Sequence, residues 1–102
     1  MKEVRLFLDY RCYPVWVYDD DGFLEDNDLP DELKEDKGID ERLMLLQDKY
    51  DHLFTDTKTE FNYNGFDDQE KEEEFLQMFT EIQMEMERCL MDKYKIINKI
   101  FV

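Results

Sequence analysis

The chain has 102 residues, of which 42% are hydrophobic and 15% aromatic, and a formal net charge of −15 at pH 7. That length makes one domain, residues 1–102, and leaves no room for two. Eight Phe, six Tyr and one Trp argue against disorder, and the lack of clustered Lys and Arg argues against direct binding of nucleic acid or an anionic membrane surface.

In chain order, KEVRLFLDY alternates. Val4, Leu6, Leu8 and Tyr10 share one side, and Phe7 is the one apolar residue on the other. This pattern predicts a half-buried strand over residues 3–10. Pro14 cannot donate to a ladder and restrains Tyr13 to an extended shape, so a break is expected there. VWVY is β-branched and aromatic, which predicts a second strand over 15–19. Asp21-Gly22 then marks a hairpin turn, with a third strand over 23–25. DLPDEL places Pro30 early, with Asp31 and Glu32 behind it, as at the start of a short helical turn; that turn is expected to end near Gly38.

Asp40 is the expected N-cap of a helix whose apolar face is Leu43, Leu46, Tyr50 and Leu53. Residues 55–66 form a polar connection with Phe61 and Tyr63 at alternate places, compatible with a fourth edge strand. Asp67 with Glu70 resembles a capping box. From there Phe75, Phe79, Ile82, Met86, Cys89 or Leu90, Lys93 or Tyr94, and Ile97 mark one side of a long helix. The tail KIINKIFV fits either a helical extension or a strand. The expected fold is α+β: a small antiparallel β-meander packed against two main α-helices.

The charge is concentrated. Residues 19–40 hold eleven carboxylates and two lysines, a net of −9, and residues 67–74 hold six carboxylates and one lysine, a net of −5. A metal loop is one explanation, but the EF-hand register fails. Counted from Asp19, Gly22 falls fourth rather than sixth, and Pro30 stands where a bidentate Glu is needed. No metal or cofactor is expected.

Catalysis is not expected either. The chain has no serine and one histidine, His52, so a nucleophile, base and orienting group cannot be assembled. Cys12 and Cys89 lack the spacing of a zinc site or a disulfide framework. The amino terminus lacks a signal-peptide core, and no run approaches about 18 apolar residues. The expected setting is therefore the reducing cytosol, with both thiols free and in or near the core.

Trp16 and Tyr18 share one face of their strand, and Val15 and Val17 share the other. If the valines face the helices, Trp16 and Tyr18 stand exposed beside the acidic turn; the opposite assignment buries Trp16. Exposed aromatics flanked by charge form a typical recognition surface. The Met-rich stretch LQMFTEIQMEMERCLM is compatible with an adaptable groove, but its periodicity favours a core-facing helix.

DYRCYPVWVYDDDGFLEDNDLPDEL, together with LFTDTKTEFNYNGF and the acidic helix after it, resembles a family of small cytosolic immunity proteins of Gram-positive bacteria. The likeness rests on Tyr13-Pro14, Trp16, Asp21-Gly22, the segment 27–33 and the segment 61–66. It implies a binding protein, not an enzyme, that neutralises a secreted polymorphic or contact-dependent toxin. It also implies a basic, nuclease-type toxin as the partner of the acidic surface. The expected partner-binding residues are Trp16, Tyr18, Asp19, Asp20, Asp21, Glu25, Asp26 and Asp28. The carboxylates would steer association, and the two aromatics would anchor it. The competing expectation is an acidic nucleic-acid mimic or regulator that binds a host DNA- or RNA-binding protein.

Overall fold

The structure is a computed structural model that describes residues 1–102. Strands β1 (Lys2–Leu6), β2 (Val15–Tyr18) and β3 (Leu24–Asp26) form the expected antiparallel meander. β1 ends earlier than its alternation predicts because residues 7–14 leave the ladder before Pro14, with the Phe7 amide still donating to the Pro14 carbonyl at 3.1 Å. Asp19 and Gly22 close the β2–β3 hairpin, and Gly22 supplies the left-handed φ of 87° that the turn requires. A short 3₁₀ turn, Asp31–Leu33, follows.

Helix α1 (Lys37–Asp51) begins one turn before the position expected from Asp40. The Asp36 carboxylate accepts the Ile39 amide at 3.1 Å and is the N-cap. Gly38 therefore lies within the first turn, where its cost is offset by the cap and by burial of Ile39. Helix α2 (Gln69–Leu90) is capped by Asp68, one residue later than expected, through the Glu70 amide at 2.9 Å. Its buried residues are Phe75, Phe79, Ile82, Met86 and Leu90. Of the alternatives Cys89 and Leu90, Leu90 is the core residue; Cys89 is exposed and Cys12 half-buried, so neither thiol belongs to the core.

The helix does not run on to Ile97. It stops at Leu90, and the tail turns into strand β6 (Tyr94–Asn98). β6 pairs parallel to β1, giving a mixed four-stranded sheet of order β3-β2-β1-β6. The segment expected as a single edge strand is instead a separate two-stranded ribbon, β4 (Phe54–Asp56) with β5 (Phe61–Tyr63).

Both helices pack on one side of the sheet. Val4, Leu6, Leu8 and Val15 meet Ile39, Leu43, Leu46, Phe75, Phe79, Ile82, Met86 and Leu90 in a single core. Each such side chain contributes roughly 1.5–3 kcal/mol by leaving water. The other side of the sheet carries no helix. The register puts Glu3, Arg5, Trp16, Tyr18, Leu24, Lys95 and Ile97 there together.

Candidate functional site

The open sheet face decides the orientation of β2. Val15 and Val17 are buried against the helices, so Trp16 and Tyr18 point the other way, each half-buried. Trp16 is not loose. Its indole Nε1 donates to the Phe7 carbonyl at 3.0 Å, and its ring meets Phe7 edge-on at 6.3 Å between centroids. The Arg5 guanidinium lies over Tyr18 at 3.9 Å from the ring centroid and pairs with Glu3 at 3.1 Å. A preorganised aromatic–cation surface of this kind needs little ordering before it meets a partner. Neither Arg5 nor the packing of Phe7 on Trp16 is anticipated by the sequence reading. The signal is the alternation in β1, which sends residues 3, 5 and 7 to the same side.

The hairpin carboxylates differ in what they do. The Asp19 carboxylate accepts the Asp21 and Phe23 amides, each at 2.9 Å, and so shapes the turn. Asp20 sits 2.8 Å from the amino terminus, and that hydrogen bond and charge hold its carboxyl below the ordinary range. Glu25 pairs with Lys2 at 3.1 Å, and Asp26 lies 3.7 Å from Lys34. Asp21 is exposed without an ion pair. Asp28 lies beyond β3, at the far end of the hairpin, where its carboxylate accepts the Leu29 amide at 2.7 Å. The structure thus places Trp16 and Tyr18 on the open sheet face and Asp19, Asp20 and Asp21 at the β2–β3 turn, whereas Glu25 lies with Lys2 and Asp26 in a small cavity lined by Val17, Leu29 and Tyr94. Asp26 turns to Lys34, and Asp28 sits apart.

A second acidic surface runs along α2. Glu70, Glu73, Glu74 and Glu81 border a shallow groove with Gln77 and Met78, and Glu85 is the α2 carboxylate that has an ion pair, with Arg42 of α1. The spacing of these glutamates is legible in the sequence as one side of a helix.

The largest concavity, about 780 Å³, is elsewhere, between the end of α1 and the start of α2. His52, Leu53, Phe66 and Phe75 line it together with charges of both signs. His52 Nδ1 lies 2.7 Å from the Asp48 carbonyl, and this bond and the Asp48 charge raise its pKa. No group of three or more His, Cys, Asp or Glu side chains converges as a metal site. No helix is long and apolar enough to cross a membrane.

Residues 2–99 match the family described as Serratia CdiI immunity protein-like. The chain belongs to this family. It is therefore an immunity protein of a contact-dependent inhibition system, and its general role is to neutralise a toxin. The description names Serratia, and nothing in it carries the Gram-positive attribution drawn from the sequence resemblance. No curated protein matches the chain in sequence.

Proposed function

We propose that this immunity protein works in the cytoplasm as a non-catalytic inhibitor that docks a basic, nuclease-type toxin on its acidic surface. In this reading the contact is made by Trp16 and Tyr18 on the open sheet face and by Asp19, Asp20 and Asp21 at the turn, with Glu25, Asp26 and Asp28 adding to the field. The single observation that carries the reading is the half-buried, hydrogen-bonded Trp16 packed on exposed Phe7, on the sheet face that no helix covers and in the strand that leads into the acidic turn. Aromatic anchors of this kind supply most of the affinity at interfaces, whereas surrounding charge mainly sets the on-rate and register. The unpaired glutamates of α2 extend the negative field that draws in a cationic partner.

The test is association of the cognate toxin with a variant carrying Asp19→Asn, Asp20→Asn and Asp21→Asn, measured at several ionic strengths. Asn at position 19 keeps an acceptor oxygen for the two turn amides, so the hairpin should persist. The expected result is slower association with a shallower salt dependence. An unchanged on-rate and salt slope would remove these residues from the encounter. Trp16→Ala is the companion variant. It should accelerate dissociation while costing about 1–2 kcal/mol of stability, less than the 3–5 kcal/mol typical of a fully buried aromatic.

A further inference from the structure

The β4–β5 ribbon carries a second aromatic surface. Its register pairs Phe54 with Tyr63 and Asp56 with Phe61, so these four side chains share one face. That face packs on Tyr10 and Tyr50. Ring centroids lie 4.7 Å apart for Tyr10–Phe54, 5.1 Å for Tyr10–Phe61 and 5.2 Å for Tyr50–Phe54. A two-stranded ribbon is marginal alone in water, so these ring contacts are what hold it. Yet Phe61 remains 56% exposed and Tyr63 46%.

One carboxylate stands on this aromatic face. Asp56 accepts the Tyr10 hydroxyl at 3.0 Å, and the Arg11 guanidinium lies 3.5 Å from the same oxygen and 5.2 Å from the Tyr10 ring centroid. The chain's own arginine therefore already lies across a ring and a carboxylate, the arrangement that recognises a guanidinium. Its hold is slight. The side chain is 72% exposed, whereas a cation over an aromatic ring gains more once an interface excludes water.

We propose that Tyr10, Asp56 and Phe61 form a second docking patch for the toxin, which takes one of the toxin's arginine side chains in place of Arg11. The proposal rests on the reading above that the partner is basic. Charge complementarity singles out this occupant. The patch offers ring faces and a carboxylate on a chain of net charge −15, and the one cation at the site belongs to a mobile type of side chain that can swing aside. Displacing Arg11 leaves the Tyr10–Asp56 hydrogen bond intact and releases the carboxylate's second contact to the incoming guanidinium.

The experiment is an NMR titration with hexaarginine, following the ring resonances of Tyr10 and Phe61 in the wild type and in Arg11→Ala. This substitution removes the exposed Arg11–Asp56 contact but none of the ring contacts that hold the ribbon and no core residue, so the fold is retained. The rings should shift in the wild type, and in Arg11→Ala they should saturate at about three- to tenfold lower peptide concentration, because the competing cation is gone. Rings that do not move, or an Arg11→Ala variant that saturates at the same or a higher concentration, would overturn the proposal. With the cognate toxin, Arg11→Ala should bind more tightly; equal or weaker binding counts against the patch. Failure of the hairpin reading is seen separately, in the on-rate of the triple Asn variant.

Discussion

Tyr13 shows how one half-buried residue ties the β1–β2 loop to a helix. Its hydroxyl donates to the Asp40 carboxylate at 2.7 Å, and its carbonyl accepts the Asn27 side-chain amide at 2.6 Å. The same Asn27 amide reaches the Val15 carbonyl at 2.9 Å, so it continues the pairing of β2 past the point where β3 ends. Burial first, then the bond to Asp40 and its charge, push the Tyr13 pKa far above that of a free phenol. The sign follows from the unfolded chain, where the phenol ionises near pH 10. The contribution of Tyr13 is full below about pH 10 and is lost as pH rises above it, because only the unfolded state then releases the proton. Tyr13→Phe should lower stability by about 1–2 kcal/mol at neutral pH. The gap between variant and wild type should narrow above pH 10, as read from denaturant melts across that range. A constant gap would mean that Tyr13 ionises in both states alike.

At the scale of elements, the end of α2 is the strained joint. The helix stops at Leu90, and Met91 takes φ 51° and ψ −123°, a conformation suited to glycine, while its amide still bonds to the Glu87 carbonyl at 2.9 Å. A long helix followed by a parallel edge strand needs this sharp reversal, and helices commonly end on a glycine for that reason. The Met91 side chain is 75% exposed, so removing it loses almost no packing. Met91→Gly should stabilise the domain by about 1 kcal/mol and raise Tm by several degrees in a thermal melt. A lower Tm would show that the methionine packs on its surroundings after all. The run after Leu90 also explains why periodicity misleads here. Tyr94 and Ile97 fit a helical spacing, but Tyr94, Ile96 and Asn98 instead alternate along β6, where the Tyr94 hydroxyl donates to Glu32 at 2.9 Å and the Asn98 amide to Gln83 at 2.9 Å.

For the whole molecule, charge is the dominant opposing force. The ion pairs are at the surface, and pairs of that kind contribute at most about 1 kcal/mol each, so a net −15 leaves much repulsion uncancelled. Repulsion between exposed carboxylates is screened within about 10 Å at 0.1 M salt and about 3 Å at 1 M. Raising sodium chloride from low ionic strength to 0.5 M should therefore raise Tm, and the triple Asn variant of the hairpin should gain less than the wild type. A Tm that falls with salt would show that the ion pairs outweigh the repulsion. The same field accounts for the proposed division of labour, in which carboxylates draw a basic toxin in and a few aromatic side chains hold it.

Local signals in the sequence determined the meander, the Asp21-Gly22 turn, the two helices and most of their core faces, because alternation and 3.6-residue spacing arise from the backbone itself. The immunity resemblance was also legible, and the segments that carry it fall within the matched residues 2–99. What stayed open was non-local. Alternation divides Trp16 and Tyr18 from Val15 and Val17, but only the packing of both helices on one side determines which pair meets the core. KIIN is too short and apolar to choose between helix and strand by itself; the free edge of β1 made it a strand. The carboxylates were countable from the start, yet their partners, the amino terminus, Lys2 and Lys34, come from distant positions brought close by the fold. Charge belongs to the chain, but which charges remain free to meet another molecule is decided by three-dimensional neighbours, because pairing depends on distance in space and not along the sequence.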